Sequence, residues 1–310
     1  MSDMRPILIA GPTASGKSGF AMRLADALNG TIINADSMQV YRELRILTAR
    51  PGPEDEAKLP HLLYGTVGGG EGYSAGRYAQ DAGRAIAQAQ AAGRRPIIVG
   101  GTGLYFKTLV EGLSPIPPIP DDVRTHWRRA AQEQGAEILH ERLALRDAEM
   151  ATRLARTDTQ RVVRALEVLD ATGVSLAEWQ RRPREPVLDF NEVVPLLVTV
   201  EREELVRRID HRFEQMMREG GLEEVLQLKG AALASDAPIL AALGVRPLLR
   251  HLEGELSYAD AVAAGQLETR QYAKRQVTWS RSNMIAWIRI SAQEMQKTRA
   301  VQAVFVRTSH

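Results

Sequence analysis

Over the first 112 residues, short apolar runs alternate with longer stretches in which apolar positions recur every three or four residues. A brief apolar run bounded by turn residues reads as a buried strand, and the longer periodicity reads as a helix with one packed face. The pattern predicts strands over 6–10, 31–35 ("TIINA") and 96–100 ("PIIVG"). Helices are predicted over 17–28, stopped by Asn29-Gly30, over 74–92 with Ser74 as N-cap, and over 103–111, ending at Gly112. Strands alternating with helices imply an α/β fold, a parallel sheet flanked by helices.

The alternation breaks at "SPIPPIPDD", 114–122, where four prolines cannot continue a helix or a central strand. From 121 to 182 the chain is rich in Arg, Glu and Ala with helical periodicity and no strand candidate, and "VVPLLVTV" at 193–200 then reads as a strand returning to the sheet. An all-helical insertion over 121–186 therefore interrupts a core formed by 1–120 and 187–310. Further helices are expected over 202–229, 238–253 and 257–280, and a last strand over "MIAWIRI", 284–290. There is no internal repeat and no low-complexity tract.

At 310 residues and 44% hydrophobic content, the chain can bury a large core and is not of the disordered class. The formal charge is only +2, but Lys occurs at six positions, so Arg supplies most of the 40 basic residues. Arginine suits planar phosphate recognition and base stacking; GC-rich coding explains the same excess equally well. With no Cys, disulfide frameworks, Cys-based zinc sites and thiol catalysis are excluded, which fits a reducing compartment. The six His form no metal-ligand pair. The N-terminus is far short of a signal-peptide core and no segment reaches membrane-spanning length, so the expectation is a soluble, cytoplasmic protein without a membrane partner.

Chemistry enters at "GPTASGKS", Gly11 to Ser18, with the spacing G-x-x-x-x-G-K-[ST] between a strand and a helix. In such a loop the backbone N–H groups of Gly11, Pro12's neighbours, Thr13, Ala14, Ser15 and Gly16 wrap a phosphate. Lys17 reaches its terminal oxygens and the Ser18 hydroxyl binds magnesium. The fold class sharpens to a P-loop NTPase-like sheet with an inserted helical subdomain. Nucleotide hydrolysis usually needs a second carboxylate at the end of another core strand, and "PIIVG" runs instead into Gly101-Thr102-Gly103-Leu104-Tyr105. An acid does follow the second strand, in "NADSMQVY": Asp36, Ser37 and Gln39 offer a base, a hydroxyl and an amide where α/β sheets face their ligands. Helix N-capping accounts for Asp36 and Ser37 as well.

Three basic segments stand out: "DTQRVVRALEVLDATG" (158–173), "RRIDHRFEQM" (207–216) and "TRQYAKRQVTWSR" (269–281). In the first, Val162, Leu166 and Leu169 form an apolar face opposite Arg161 and Arg164; in the last, Arg270, Lys274 and Arg281 share a stripe apart from Tyr272, Arg275, Gln276 and Trp279. A single such segment is a solvated face, whereas three in one Arg-dominated chain match the phosphate tracking and aromatic stacking of single-stranded RNA recognition.

In order and spacing, "GPTASGKS", "NADSMQVY", "VGGTGLY", "DTQRVVRALEV" and "TRQYAKRQVTW" resemble the bacterial tRNA dimethylallyltransferases, also called isopentenyl-tRNA transferases, over about residues 6 to 281. The resemblance implies that the loop holds the diphosphate of dimethylallyl diphosphate, with magnesium. The acceptor implied is the exocyclic amine of the adenosine 3′ of the anticodon in tRNAs that read codons beginning with U. It assigns Asp36 as base, Ser37, Met38 and Gln39 around the acceptor adenine, and Thr102 and Lys17 as catalytic groups that position the reactants. Thr13, Lys17 and Ser18 hold diphosphate and metal, with Arg212 as a further diphosphate contact. Arg124 and the run Gln160, Arg161, Val162, Val163, Arg164 fall on positions that meet the anticodon stem-loop, and Lys274, Arg275 and Gln276 line the channel for the target base. A monomer is expected.

Two stretches depart from the family pattern: Leu47-Thr48-Ala49-Arg50-Pro51, where Gly-Thr-Ala-Lys-Pro is common, and Gly244-Val245-Arg246, where Tyr is usual in the middle. No Cys/His-containing extension of the kind seen in eukaryotic relatives is expected. The competing readings are an adenylate isopentenyltransferase acting on free AMP or ATP, a small-molecule P-loop kinase, and a non-catalytic RNA-binding protein. The missing strand-end acid weighs against the kinase. The basic helices would be idle in the free-nucleotide enzyme, and Lys17 would have no purpose in the binding protein.

Overall fold

A computed structural model of the chain describes residues 4–231 and 233–296; the expected core boundaries at 1 and 310 lie outside the described residues. The apolar runs become β1 (Ile7–Ala10), β2 (Gly30–Asn34) and, after the short edge strand β3 (His61–Leu62), β4 (Arg95–Gly100), followed by β5 (Val194–Thr199) and β6 (Ile288–Ser291). They form a six-stranded sheet in the order β3-β2-β4-β1-β5-β6, parallel at every pairing.

Alternation along the strands divides the core between the two faces of the sheet. Ile7, Ile9, Ile32, Ile97, Leu196 and Val198 meet Phe20 and Leu24 of α1 (Lys17–Ala27) on one face. Leu8, Ile33, Ile98 and Leu197 meet Tyr78 and Ile86 of α3 (Ala75–Ala91) and Phe106 of α4 (Gly103–Glu111) on the other. Ser74 caps α3 by accepting the Arg77 N–H at 3.1 Å. The short α2 (Pro53–Lys58) lies between β2 and β3; neither α2 nor β3 is long enough to print a period on the sequence.

The division into compact units falls at Val110 and Val187, with Glu111–Pro186 as the second unit. The proline-rich stretch thus belongs with the helices rather than with the sheet, because Ile119 is buried in their core beside Trp127. That unit contains α5 (Asp121–Arg146), broken at Gly135 (φ 80°), then α6 (Ala148–Arg153), α7 (Thr159–Thr172) and α8 (Leu176–Arg181). Leu139, Leu143, Val162, Leu166 and Trp179 share its core, and the Trp127 Nε1–H donates to Asp170 at 2.7 Å.

Back in the sheet unit, the expected helix 202–229 is two helices, α9 (Arg202–Arg218) and α10 (Gly221–Gly230), parted at Gly220. The stretch 238–253 is a 3-10 turn, Pro238–Ala241, and then α11 (Val245–Leu252), entered at Gly244 with φ 83°. The long α12 (Tyr258–Asn283) follows, and β6 is shorter than its apolar run. Met284 and Trp287 are buried without being strand residues: the Trp287 ring meets Phe106 edge-on at 5.4 Å, so the run packs as a turn against the sheet. A short α13 (Ala292–Gln296) closes the described residues. Among them, no helix is long and apolar enough to cross a membrane.

Candidate active site at the carboxyl ends of three adjacent strands

Because β2, β4 and β1 are parallel neighbours, the segments that leave them open on one edge of the sheet, the usual ligand edge of an α/β fold. Each carries one of the motifs: β1 runs into the phosphate loop, β2 into Asp36 and β4 into Thr102.

The loop is preset for an anion. Gly16 adopts φ 87° and precedes α1 without any side-chain cap, so the first-turn N–H groups keep their capacity for a ligand and the helix dipole points at it. Gly11 tolerates no side chain, since a Cβ there would lie 2.9 Å from Val198 Cβ. Ser15 is buried and its Oγ has no protein partner among the described residues, an unmet polar group inside the cradle. Lys17 folds back so that its Nζ donates to the Pro12 carbonyl at 3.1 Å.

Asp36 is fixed from both sides. Its N–H donates to Asn34 Oδ1 at 2.8 Å and its Oδ1 accepts the Met38 N–H at 2.9 Å. No helix follows it at once, so the carboxylate closes a tight turn instead of capping a helix. Next to it, the Ser37 N–H donates to Thr102 Oγ1 at 3.0 Å, and the Thr102 hydroxyl lies 3.3 Å from Ser37 Oγ. Gln39 is committed elsewhere, its Nε2 donating to the carbonyls of Thr48 (2.8 Å) and Ala49 (3.1 Å).

The glycines after β4 mark close approach to α12. A Cβ on Gly101 would fall 2.2 Å from Gln276 Nε2, and one on Gly103 would fall 2.2 Å from Trp279. Gln276 occupies that gap as a brace: its Oε1 accepts the Thr13 N–H and its Nε2 donates to the Gly101 carbonyl, each at 2.9 Å. Expected as a channel residue, it spends its whole amide on joining the phosphate loop to the Thr102 turn. A cavity of about 230 Å³ lies here between Pro12, Thr102, Leu104, Arg275 and Trp279. A smaller one of about 40 Å³ lies between Thr13, Leu47, Arg212 and Phe213.

Charge is concentrated where these parts meet. Burial pulls the Lys17 amine down to about 8, Asp36 opposes this, and Arg212 adds to it. Arg212 is likewise lowered by burial and supported by Asp36, so the expected diphosphate contact does share a field with Lys17 and Asp36. Buried Lys17 and half-buried Arg212, set against one carboxylate, leave excess positive charge for an anionic ligand. Tyr272, not among the expected site residues, lines the larger cavity with Thr102 and Gln276; its phenol is raised by burial and then by Asp36. Its only sequence signal was an aromatic on the Gln276 side of α12.

Among the described residues no group of three or more His, Asp or Glu converges on a metal position. Ser18 is exposed on the first turn of α1, a single hydroxyl beside an anion cradle. That donor set fits a magnesium that draws its other oxygens from the bound diphosphate and from water, as the ion prefers.

The basic segments differ in what they pair with. Arg207 and Arg208 both pair with Glu204, at 2.6 and 2.7 Å, and Arg270 pairs with Asp210 of α9 at 2.8 Å; these are internal ties. Lys274 and Arg275 are exposed. In the helical unit, Gln160 and Arg161 are exposed, and Arg124 and Arg164 are half-exposed beside Asp121 and Glu167. Val162 and Val163 are corrected: at 0% and 8% exposure they belong to the helical core, and their side chains present nothing to an RNA.

The IPP transferase family model matches residues 39–283. A tRNA dimethylallyltransferase of Azorhizobium caulinodans is 55% identical over 283 residues, covering 91% of each chain. One from Parvibaculum lavamentivorans is 47% identical and covers 97% of this chain and 96% of its own. Among solved structures, the tRNA isopentenylpyrophosphate transferase of Bacillus halodurans is similar with a TM-score of 0.67 at 28% identity, covering 99% of this chain and 100% of that one. A eukaryotic dimethylallyltransferase acting on tRNA is similar with a TM-score of 0.82 at 26% identity, covering 97% of this chain and 77% of that one. With a phosphate loop, an acid after β2 and a threonine after β4 on one sheet edge, and with this similarity along nearly its whole length, the chain belongs to the IPP transferase family.

Proposed function

We propose that the chain is a tRNA dimethylallyltransferase that moves the five-carbon group of dimethylallyl diphosphate onto the exocyclic amine of the adenosine 3′ of the anticodon. The tRNAs would be those reading codons that begin with U, and the enzyme would work as a cytoplasmic monomer. The observation that carries the reading is the phosphate loop facing Asp36 and Thr102 while β4 ends in Gly100-Gly101 without an acid. Such a site holds and releases a diphosphate but lacks the usual means of activating water on a nucleotide.

In the reaction the C1–O bond of the donor breaks, a bond forms between C1 and the adenine nitrogen, and diphosphate leaves intact. Lys17, Arg212 and the loop N–H groups stabilise the charge that builds on the leaving oxygens. Magnesium, when bound with the diphosphate at Ser18, adds neutralising charge there. Asp36 Oδ1 is held by the Met38 N–H, which orients the carboxylate to take the proton from the amine once attack is under way. Thr102, tied to Ser37, orients the acceptor. The adenine must leave its stack to reach this site, at a cost of a few kcal/mol, offset by contacts from exposed basic residues such as Arg161 and Lys274.

The test is transfer of label from dimethylallyl diphosphate to unmodified tRNA with magnesium, beside reactions offering AMP or labelled ATP. Label mapping to the adenosine 3′ of the anticodon is expected. Label in AMP alone would assign the free-nucleotide reaction, and phosphoryl transfer from ATP alone would assign a kinase.

A further inference from the structure

The phosphate loop has a second cavity beside it, apart from the one that adjoins Thr102. Beside Thr13 and Ala14 lies the small cavity whose walls are Leu47, Thr48 and Ala49 on one side and Ile209, Arg212, Phe213 and Met216 of α9 on the other. Any donor seated on Thr13, Lys17 and Arg212 touches this space, so its width bears directly on how tightly the donor is held.

The first wall is a loop without regular structure of its own. Its internal ties are local: Thr48 Oγ1 donates to the Leu44 carbonyl at 2.7 Å, the Ala49 N–H to the Ile46 carbonyl at 2.9 Å, and Gln39 Nε2 to Thr48 and Ala49. Ala49 sits at φ 52°, a conformation an alanine adopts only when its surroundings impose it. Local bonds of this kind fix the loop's shape but not its distance from α9.

One charged side chain reaches across to the loop from the helices. Glu224 of α10 receives three consecutive backbone N–H groups on its carboxylate, those of Arg45 (2.5 Å), Ile46 (2.9 Å) and Leu47 (3.0 Å). Three amides converging on a carboxylate form an anion-binding nest, and charge-assisted bonds of this type are the stronger class. α10 follows α9 directly across Gly220, so the residue that grips one wall stands on the helical pair that supplies the other. Leu47 then turns its side chain into the apolar core shared with Phe213 and Val225.

We propose that Glu224 is a positioning residue for the prenyl donor: by clamping the 45–47 backbone to the α9–α10 pair, it sets the spacing of the walls beside the phosphate loop. This rests on the donor reading given above. It places a determinant of donor affinity in a residue that contacts neither the donor nor the acceptor.

The test is titration calorimetry with dimethylallyl diphosphate and magnesium on Glu224→Ala, Glu224→Gln and a control, Leu228→Ala, which removes buried packing from the same helix. Glu224→Ala is expected to weaken donor binding about tenfold while tRNA affinity stays within twofold. Glu224→Gln, which keeps one acceptor oxygen, should recover about half of the loss on a logarithmic scale. Leu228→Ala should lower the melting temperature at least as much yet leave donor affinity within twofold. Donor affinity within twofold of wild type in a folded Glu224→Ala overturns the proposal, and so does an equal loss in Leu228→Ala. If the alanine variant does not fold, unchanged donor affinity in Glu224→Gln overturns it and a threefold loss supports it. Transfer to tRNA is assayed on the wild type alongside. Donor binding without transfer would retire the proposed reaction and leave the clamp to be judged on the affinities alone.

Discussion

The Thr13 N–H donates to Gln276 Oε1 at 2.9 Å, so a backbone group of the phosphate loop is held by a side chain 263 residues away in sequence. Since the same amide also donates to the Gly101 carbonyl, replacing it separates two effects. Gln276→Glu sets a negative charge on the Thr13 amide and against the Gly101 carbonyl, and the KM for the donor should rise tenfold or more. Gln276→Met keeps the bulk without the bonds, and kcat should fall about tenfold with a smaller change in KM. Steady-state kinetics with each substrate varied checks both; wild-type constants in the two variants would remove the brace from the mechanism.

Lys17 gives the donor site a pH dependence. The free amine titrates near 8 because of its burial, and a bound diphosphate favours the charged form, raising its pKa in the complex. Affinity is therefore full below pH 8 and declines above it, by up to a factor of ten per pH unit until the pKa of the complex is passed. Calorimetry from pH 7 to 9.5 should show this fall. Lys17→Arg, which stays charged throughout, should flatten it.

Asp36 can be tested without disturbing its loop. Asp36→Asn keeps an oxygen for the Met38 N–H but removes the base, so turnover should drop by roughly 10² to 10⁴ while tRNA affinity changes by no more than a few fold. Single-turnover measurement on preformed complex separates the chemical step from binding. A rate within a few fold of wild type would show that the proton leaves by another route.

In α7 the exposed and buried residues make opposite predictions. Replacing Arg161 and Arg164 together with Ala should reduce the slope of log affinity for tRNA against log salt by about one to two, one phosphate contact each at most. Leu166→Ala, a buried neighbour at 0% exposure, should destabilise the protein by about 2–5 kcal/mol and leave the slope unchanged. Filter binding across a salt series, with thermal melts, reads both.

The elements most legible in the sequence were those that obey one local rule. β1, β2, β4 and β5 are apolar runs with buried residues on both faces, and Ser74 caps α3 as its position before an amphipathic run implies. Misreadings arose where two rules met. Met284 and Trp287 are apolar as strand residues are, yet they are buried by packing beside Phe106, and Ile119 lies among prolines yet anchors the helical core. Composition cannot tell a residue buried in a strand from one buried beside it.

The site was legible to the same extent. Gly11 to Ser18 state their chemistry in their spacing, because a phosphate loop is built from neighbours in the chain, and Asp36 and Thr102 follow from standing at strand ends. Sequence alone therefore determined the parallel sheet and the placing of the Gly11–Ser18 loop and two polar groups at its strand ends. What only the tertiary structure decided is how these parts are held: Gln276 bracing Thr13 to Gly101, Arg212 in the field of Asp36, Tyr272 in one cavity wall with Thr102, Glu224 on the 45–47 backbone. Each of these joins residues far apart in the chain, and a contact across that distance leaves no period, spacing or composition to read until the backbone has brought its two ends together.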